Sequence, residues 1–226
     1  MKIGFYCSGK ATRLTKLLTI VKESEIFSDF VQKIQFIYVD NILDLPLDYL
    51  CKELNLRLVR RNLLEIEKKN KGEVVTQDLS QLMAAHSCDY LFIFGSQIIK
   101  EPLLSQYEYR IINFHPSLLP AFPGKNAIDK AIEQGTFLTG NTAHFIDSGI
   151  DTGPVIMYNI CLLDEWEDYD SILDKQIPMM LQIAKWFEDK RVKVDQRKVR
   201  ILNGDYSLGE YIPNLEFPIN LIKVSQ

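Results

Sequence analysis

An asparagine and a histidine stand two positions apart at the end of an apolar stretch, and this spacing could support chemistry. Ile111 and Ile112 lead into Asn113 and His115, and Pro116 follows at once. Proline has no N–H to donate to a strand ladder, so the last side chains of this strand are expected at the sheet's edge. Residues two apart on a strand point to the same side. An amide and an imidazole on one side can stabilise a developing negative charge and pass a proton.

A second polar cluster lies further along the chain, between His144 and Pro154, and includes Asp147 and Asp151. Each of these aspartates is followed within two residues by glycine, a pattern typical of turns. A carboxylate near an imidazole favours its charged form and can accept a proton. The functional interpretation depends on this cluster and the Asn113 strand end meeting in space.

Strand and helix patterns alternate along the chain and must position these side chains. Predicted strands are Ile3–Cys7, Lys33–Asp40, Leu56–Val59, Tyr90–Phe94, Arg110–His115, Thr139–Asp147 and Val155–Leu162. Predicted helices start after Thr12 and cover Leu45–Leu54, Asp78–His86, Ala127–Gln134 and Asp168–Lys190, the last kinked at Pro178. The unbroken apolar run at Tyr90–Phe94 is typical of a central strand covered on both faces. The pattern predicts an α/β fold with a doubly wound, mostly parallel sheet flanked by helices, whose ligands bind at the strands' carboxyl ends.

The turn after the first strand is a candidate anion site. It contains Ser8 and Gly9, and Thr12 is the predicted N-cap of the following helix. Free backbone amides and the helix dipole favour negative charge at such a position. A tight turn with no ligand is an equal alternative.

Composition narrows the class of protein. The 226 residues carry 26 Lys and Arg against 30 Asp and Glu, a net charge of −4, which gives no reason to expect a nucleic-acid partner. The four cysteines are widely spread, which favours single buried thiols in a reducing cytoplasm over a metal site or disulfides. We also expect no signal peptide and no membrane-spanning run.

The spacing of the motifs resembles one known family. Residues 113–120, the Phe122-Pro123-Gly124 loop, Thr142-x-His144-Phe145 and residues 151–156 resemble the formyltransferases that use 10-formyltetrahydrofolate. The resemblance runs from Met1 to about Lys190 and is strongest to the purine-pathway branch acting on glycinamide ribonucleotide. It implies a Rossmann-like catalytic domain over residues 1–190. Residues 191–226 would be a C-terminal extension, with a hairpin, packed on the same domain.

The resemblance implies that Asn113, His115 and Asp151 meet at the sheet's edge and are catalytic. An amine that attacks a formyl carbon creates a tetrahedral oxyanion, to which Asn113 and a protonated His115 could donate hydrogen bonds. Asp151 could raise the pKa of His115 and accept the amine's proton, directly or through water. His144 matches the family's second histidine, and its role stays open between direct catalysis and support.

The resemblance also places the folate, as co-substrate, between residues 95–100 and 147–151. The residues assigned to this slot are Gly95, Ile98, Ile99, Asp147 and Ile150. Ordinary core packing is the alternative for the isoleucines. No metal is expected.

The acceptor side departs from the family pattern. Ser8, Gly9 and Thr12 match the phosphate-binding loop of the glycinamide enzymes, whereas Ala11 replaces a glycine and Arg13 an asparagine. Arg13 could supply a charge for phosphate. Further along, Lys175 and Gln176 stand where the resemblance suggests acceptor contacts. The predicted substrate-binding residues are Ser8, Gly9, Thr12, Arg13, Lys175 and Gln176.

Three functions therefore stay open. The first is formyl transfer to glycinamide ribonucleotide, and the second is formyl transfer to a nucleotide-linked amino sugar. The third is a folate-binding protein without turnover, which the intact trio disfavours. All three involve small molecules rather than nucleic acid or membrane. A homodimer is a further alternative, since the tail after Val192 could make a dimer contact or only cap the sheet.

Overall fold

A computed structural model of the chain describes residues 1–42, 46–163 and 169–222. The chain forms two compact units, Met1–Ile112 and Asn113–Gln226. Within the described ranges, no helix is both long enough and apolar enough to cross a bilayer.

The first unit is built from parallel strands that alternate with helices. Its strands are β1 (Ile3–Cys7), β2 (Ile34–Val39), β3 (Leu58–Arg60) and β4 (Tyr90–Phe94). Its helices are α1 (Thr12–Glu23), α2 (Phe30–Lys33), α3 (Pro46–Glu53), α4 (Lys71–His86) and α5 (Leu103–Gln106). The strands lie in the order β4-β1-β2-β3, and each pair is parallel. Every residue of β1 is buried, and so is β4 after its first residue, as expected of strands covered on both faces.

The second unit begins within β5 (Ile111–His115) and contains antiparallel strands. Its other elements are α6 (Ala127–Glu133), β6 (Leu138–Phe145), β7 (Val155–Leu162), α7 (Tyr169–Asp174), α8 (Gln176–Glu188), β8 (Val192–Asp195), β9 (Lys198–Ile201) and β10 (Tyr211–Ile212). β7 pairs antiparallel with β6 on one side and with β10 on the other. β8 and β9 form a separate antiparallel hairpin within the stretch predicted to be a C-terminal extension. The catalytic-domain boundary near residue 190 stays a prediction.

Helix α4 begins seven residues before the predicted start at Asp78. Gly72 and the charged residues around it are typical of a turn, but the chain is helical from Lys71 onwards. A Cβ on Gly72 would lie 2.8 Å from the Ile98 carbonyl oxygen, so glycine is needed there for close packing. Asp78 lies inside the helix and accepts a hydrogen bond from the Tyr38 hydroxyl instead of capping a terminus.

The predicted long helix near the C-terminus is two helices, α7 and α8, that divide at Lys175. The expected kink at Pro178 is wrong, because Pro178 is the third residue of α8. A first-turn proline has no intrahelical hydrogen bond to lose, so it is compatible with a helix start. The expected helix starts at Leu45 and Asp168 lie outside the described residues.

The alternation of strands and helices and the parallel pairing confirm the predicted fold class. The protein has an α/β fold with a Rossmann-like, mostly parallel mixed sheet flanked by helices. In each unit, polar side chains follow the carboxyl end of a buried strand.

Candidate active site

The two polar stretches singled out in the sequence meet in the second unit, around the carboxylate of Asp151. Oδ2 lies 3.3 Å from Nδ1 of His115. Oδ1 lies 3.5 Å from Nδ2 of Asn113 and 3.6 Å from Nε2 of His144. One carboxylate therefore contacts two imidazoles and an amide, and its side chain is only 13% exposed.

The hydrogen-bond partners of His115 fix which ring nitrogen carries a proton. Nε2 lies 2.9 Å from the backbone carbonyl of Phe122. A carbonyl only accepts, so Nε2 must be the donor. Nδ1 faces the Asp151 carboxylate, and a proton on Nδ1 converts this contact into a charge-assisted hydrogen bond.

Burial sets the electrostatics of this pair. Burial lowers the pKa of His115 below its usual 6.5, although the Phe122 carbonyl and the Asp151 charge oppose that effect. The Asp151 charge does raise the pKa of His115, as expected, but desolvation lowers that pKa by more, so the net shift is downward. For Asp151, burial raises the pKa, but the neighbouring His144 imidazole, the hydrogen bond from the Gly124 N–H and the His115 imidazole outweigh it, giving a pKa of about 2. Asp151 is therefore ionised at neutral pH.

His144 is buried beside the other side chains rather than at a distance from them. Its Nδ1 lies 2.9 Å from the Phe145 carbonyl, so Nδ1 carries a proton. Its Nε2 lies 3.2 Å from Nδ2 of Asn113 and, when unprotonated, accepts a hydrogen bond from that amide. A register shift between Ala143 and His144 interrupts the β6–β7 ladder here, and such bulges re-aim side chains next to active sites.

The loop between β5 and α6 holds the carboxylate in place. The backbone N–H of Gly124 donates to Oδ2 of Asp151 at 2.7 Å. The loop that contains Gly124 is fixed to β6 by Thr142, whose hydroxyl donates to the Ser117 carbonyl at 2.6 Å and accepts from the Leu119 N–H at 3.0 Å. Thr142 therefore supports the site by fixing this loop, a role that its place in the sequence motif did not indicate.

A protein-family model described as formyl transferase matches residues 47–178, which is more than half of the chain. The chain belongs to the formyl transferase family.

Individual members of the formyl transferase family are similar to this chain over part or most of its length. A phosphoribosylglycinamide formyltransferase from Bacillus subtilis is 37% identical over 97 residues, which cover 42% of this chain and 50% of that protein. A formyltetrahydrofolate deformylase from Bacillus subtilis is 28% identical over 165 residues, which cover 71% of this chain and 50% of that protein. The chain spans about half the length of these curated relatives. The crystal structure of glycinamide ribonucleotide transformylase 1 from Symbiobacterium toebii has a TM-score of 0.76 at 24% identity, over 90% of this chain and 94% of that one, and shares the fold.

The formyl transferase loop after β6 carries two residues that were assigned to folate, Asp147 and Ile150. Ile150 is 60% exposed and is accessible to a ligand. Asp147 accepts hydrogen bonds from the Gly149 N–H, the Thr152 hydroxyl and the Arg197 guanidinium. Burial opposes ionisation of Asp147, but these donors outweigh it and lower its pKa. Its carboxylate is used to shape the loop, and a folate contact stays a prediction.

The remaining folate assignments lie in the first unit and differ in exposure. Ile98 is 64% exposed, whereas Ile99 is buried, which favours the core-packing alternative for Ile99. A Cβ on Gly95 would lie 1.9 Å from the ring of Tyr6, so this glycine is required by packing against an aromatic side chain. Its backbone contact with folate stays a prediction.

In the predicted phosphate loop, the Ser8 hydroxyl is hydrogen-bonded to the carboxylate of Asp40. The Ser8 hydroxyl donates to Oδ2 of Asp40 at 2.5 Å, and the Tyr6 hydroxyl donates to the same oxygen at 2.8 Å. The Ser96 N–H donates to Ser8 Oγ at 2.7 Å. A negative charge beside the loop disfavours an anion there, and this effect of Asp40 was missed in the sequence.

The start of α1 differs from the prediction. Ala11, not Thr12, is the N-cap, and it adopts the left-handed conformation with φ 51° and no side-chain cap. Thr12 is the first helical residue and is exposed, while Gly9 is exposed at φ 63°. The guanidinium of Arg13 lies over the Phe94 ring at 4.9 Å, so its charge interacts with an aromatic face.

The two acceptor residues assigned to the long helix have partners within the second unit. Gln176 is fully buried, and its Nε2 lies 2.7 Å from Oδ1 of Asn141 and 3.3 Å from the Phe114 carbonyl. Lys175 pairs with Glu210 at 2.6 Å. An acceptor contact for either residue stays a prediction, and the burial of Gln176 favours a structural role.

Proposed function

We propose that this chain transfers a formyl group from 10-formyltetrahydrofolate to a primary amine, and that the amine is that of glycinamide ribonucleotide. The observation that carries the proposal is the largely buried Asp151 carboxylate in contact with His115, Asn113 and His144. This arrangement supports reactions that build and then discharge an oxyanion. The phosphoribosylglycinamide formyltransferase from Bacillus subtilis supports the choice of donor and acceptor.

Formation of the new bond requires stabilisation of negative charge. The acceptor nitrogen attacks the formyl carbon, and the carbonyl oxygen becomes an oxyanion. The proposed donors are Nδ2–H of Asn113 and, when the imidazole is protonated, Nδ1–H of His115. The 3.5 Å contact between Asn113 and Asp151 is long for a hydrogen bond, so that amide hydrogen is readily redirected to the oxyanion.

Collapse of the intermediate requires movement of one proton. The attacking amine nitrogen loses a proton to Asp151, directly or through a water molecule. The bond between the formyl carbon and N10 of the folate then breaks, and N10 takes up one proton. The products are a formamide and tetrahydrofolate. His144 accepts a hydrogen bond from Asn113 through Nε2 and in this way orients the amide.

A second acceptor is supported by the first loop. Asp40 takes the hydrogen bond of Ser8, so the loop is a weaker phosphate site than the glycinamide ribonucleotide assignment requires. An amino sugar linked to a nucleotide need not present its phosphates to this loop. This candidate uses the same reacting groups around Asp151 and differs only in the amine.

One assay separates the candidates. Purified protein is mixed with 10-formyltetrahydrofolate and either glycinamide ribonucleotide, a nucleotide-linked amino sugar or no amine, and tetrahydrofolate release is followed. The proposal predicts release that depends on glycinamide ribonucleotide. Release only with the amino sugar would identify the second candidate, and equal release without an amine would indicate hydrolysis. No release in any arm would support a folate-binding protein without turnover.

The proposed setting is the cytoplasm. All four cysteines are buried and none forms a disulfide, which is typical of proteins in a reducing compartment.

A further inference from the structure

Arg197 connects the C-terminal hairpin to the loop that carries Asp151. It lies in the tight turn between β8 and β9, beyond the residues that match the family model. Its Nη2 donates to Oδ2 of Asp147 at 2.7 Å and to the Thr152 carbonyl at 2.9 Å. One guanidinium nitrogen therefore holds both ends of the segment from Asp147 to Thr152.

The same segment is closed from inside by Asp147. Its Oδ1 accepts from the Gly149 N–H at 3.1 Å and from the Thr152 hydroxyl at 2.7 Å. A Cβ on Gly149 would lie 2.1 Å from that hydroxyl oxygen, so the segment is packed too tightly for a side chain there. Since Oδ1 is used inside the loop, Oδ2 is the oxygen that Arg197 reaches.

Asp151 needs this support because of its backbone. It adopts φ 53°, a left-handed conformation that residues other than glycine keep only when their surroundings fix it. The neighbouring Thr152 carbonyl is one of the two acceptors of Arg197. Loss of the guanidinium would release the residue next to Asp151 and, with it, the 3.3 Å contact to His115.

We propose that Arg197 is a positioning residue for formyl transfer, and that the hairpin turn holds the loop 147–152 so that Asp151 stays beside His115. The expected change in kcat rests on the proposed function. The expected loosening of the loop 147–152 does not depend on turnover. The side chain of Arg197 is 58% exposed, and exposed ion pairs contribute little to global stability. The effect of Arg197 is therefore expected in the loop and not in the unfolding transition.

The kinetic test compares Arg197→Ala with wild type. We expect kcat for formyl transfer to fall about tenfold, because small displacements of a reacting group are costly. The thermal midpoint should stay unchanged, and Arg197→Lys should recover part of kcat by restoring a charged donor. Arg200→Ala is the matched control, since Arg200 is an exposed arginine of the same hairpin. In the double variant with Asp147→Asn, the two effects should not add, because both substitutions break one contact.

A second readout needs no substrate. Amide hydrogen exchange, measured by mass spectrometry, should become faster in residues 147–153 of Arg197→Ala and stay unchanged in Arg200→Ala. A wild-type protein without turnover would reject the proposed function, and the exchange experiment would still decide the role of Arg197. Unchanged exchange in this loop, or an unchanged kcat in a wild type that is active, would overturn the inference.

Discussion

Oδ2 of Asp151 lies 3.3 Å from Nδ1 of His115. Because the opposite ring nitrogen donates to a backbone carbonyl, a proton at Nδ1 decides whether the imidazole is charged. Burial disfavours that charge and the carboxylate favours it. The charge of the His115 imidazole depends on the balance of these two effects.

We predict that Asp151→Asn lowers the pKa of His115 further, because the substitution removes the favourable charge and leaves the desolvation. The imidazole pKa can be measured by NMR titration of ¹⁵N-labelled protein, with the His86 resonances reporting any global change. In the wild type the pKa should lie below 6.5. The unfolded chain then binds more protons, so the contribution of His115 to unfolding free energy should decline as pH falls below 6.5. An unchanged or raised pKa in Asp151→Asn would contradict the account.

Gln176 offers a test of structure against ligand binding. Removing its fully buried amide by Gln176→Ala leaves Oδ1 of Asn141 without this donor and opens a cavity. The free energy of unfolding, measured with urea, should fall by about 2–4 kcal/mol. Lys175→Ala is the control and should cost no more than about 1 kcal/mol, since it removes an ion pair near the surface. Normal stability of Gln176→Ala together with a raised KM for the amine would restore Gln176 as an acceptor contact.

Asp40 tests whether the acceptor phosphate uses the first loop. Asp40→Asn removes a negative charge beside Ser8 and weakens the bond that occupies the Ser8 hydroxyl. A charge at about 4 Å in water is worth about 1 kcal/mol, so KM for glycinamide ribonucleotide should fall by about fivefold. Glu23→Gln removes one charge from the far end of α1 and should leave KM unchanged. The same KM in Asp40→Asn and wild type would mean that the phosphate binds elsewhere.

The sequence predicted which side chains meet around Asp151 better than it predicted the contacts that hold them in place. Asn113 and His115 follow from a strand that ends at proline, and their approach to Asp151 followed from the family resemblance. The Phe122 carbonyl and the Gly124 N–H could not be predicted, because every residue type carries such backbone groups. Sequence patterns indicate which side chains are present but do not indicate which backbone groups those side chains contact.

Other errors came from residue types that occur in more than one structural setting. Gly72 is typical of a turn but here permits close helix packing, so the start of α4 was missed. Pro178 is typical of a kink but lies in a first turn. An exposed arginine such as Arg197 gives no sequence signal, because its loop partner is 50 residues away. Asp40 could have been found, since an acidic residue directly after a parallel strand lies at the edge where ligands bind.

The most direct test of the central claim is a single-turnover reaction with ¹³C-formyl-labelled 10-formyltetrahydrofolate and glycinamide ribonucleotide, followed by NMR. In the wild-type protein, the label should move to the acceptor nitrogen. In Asp151→Asn, the transfer rate should fall at least about 100-fold while the protein stays folded. Transfer by Asp151→Asn at close to the wild-type rate, or wild-type label that appears only as formate, would contradict the account.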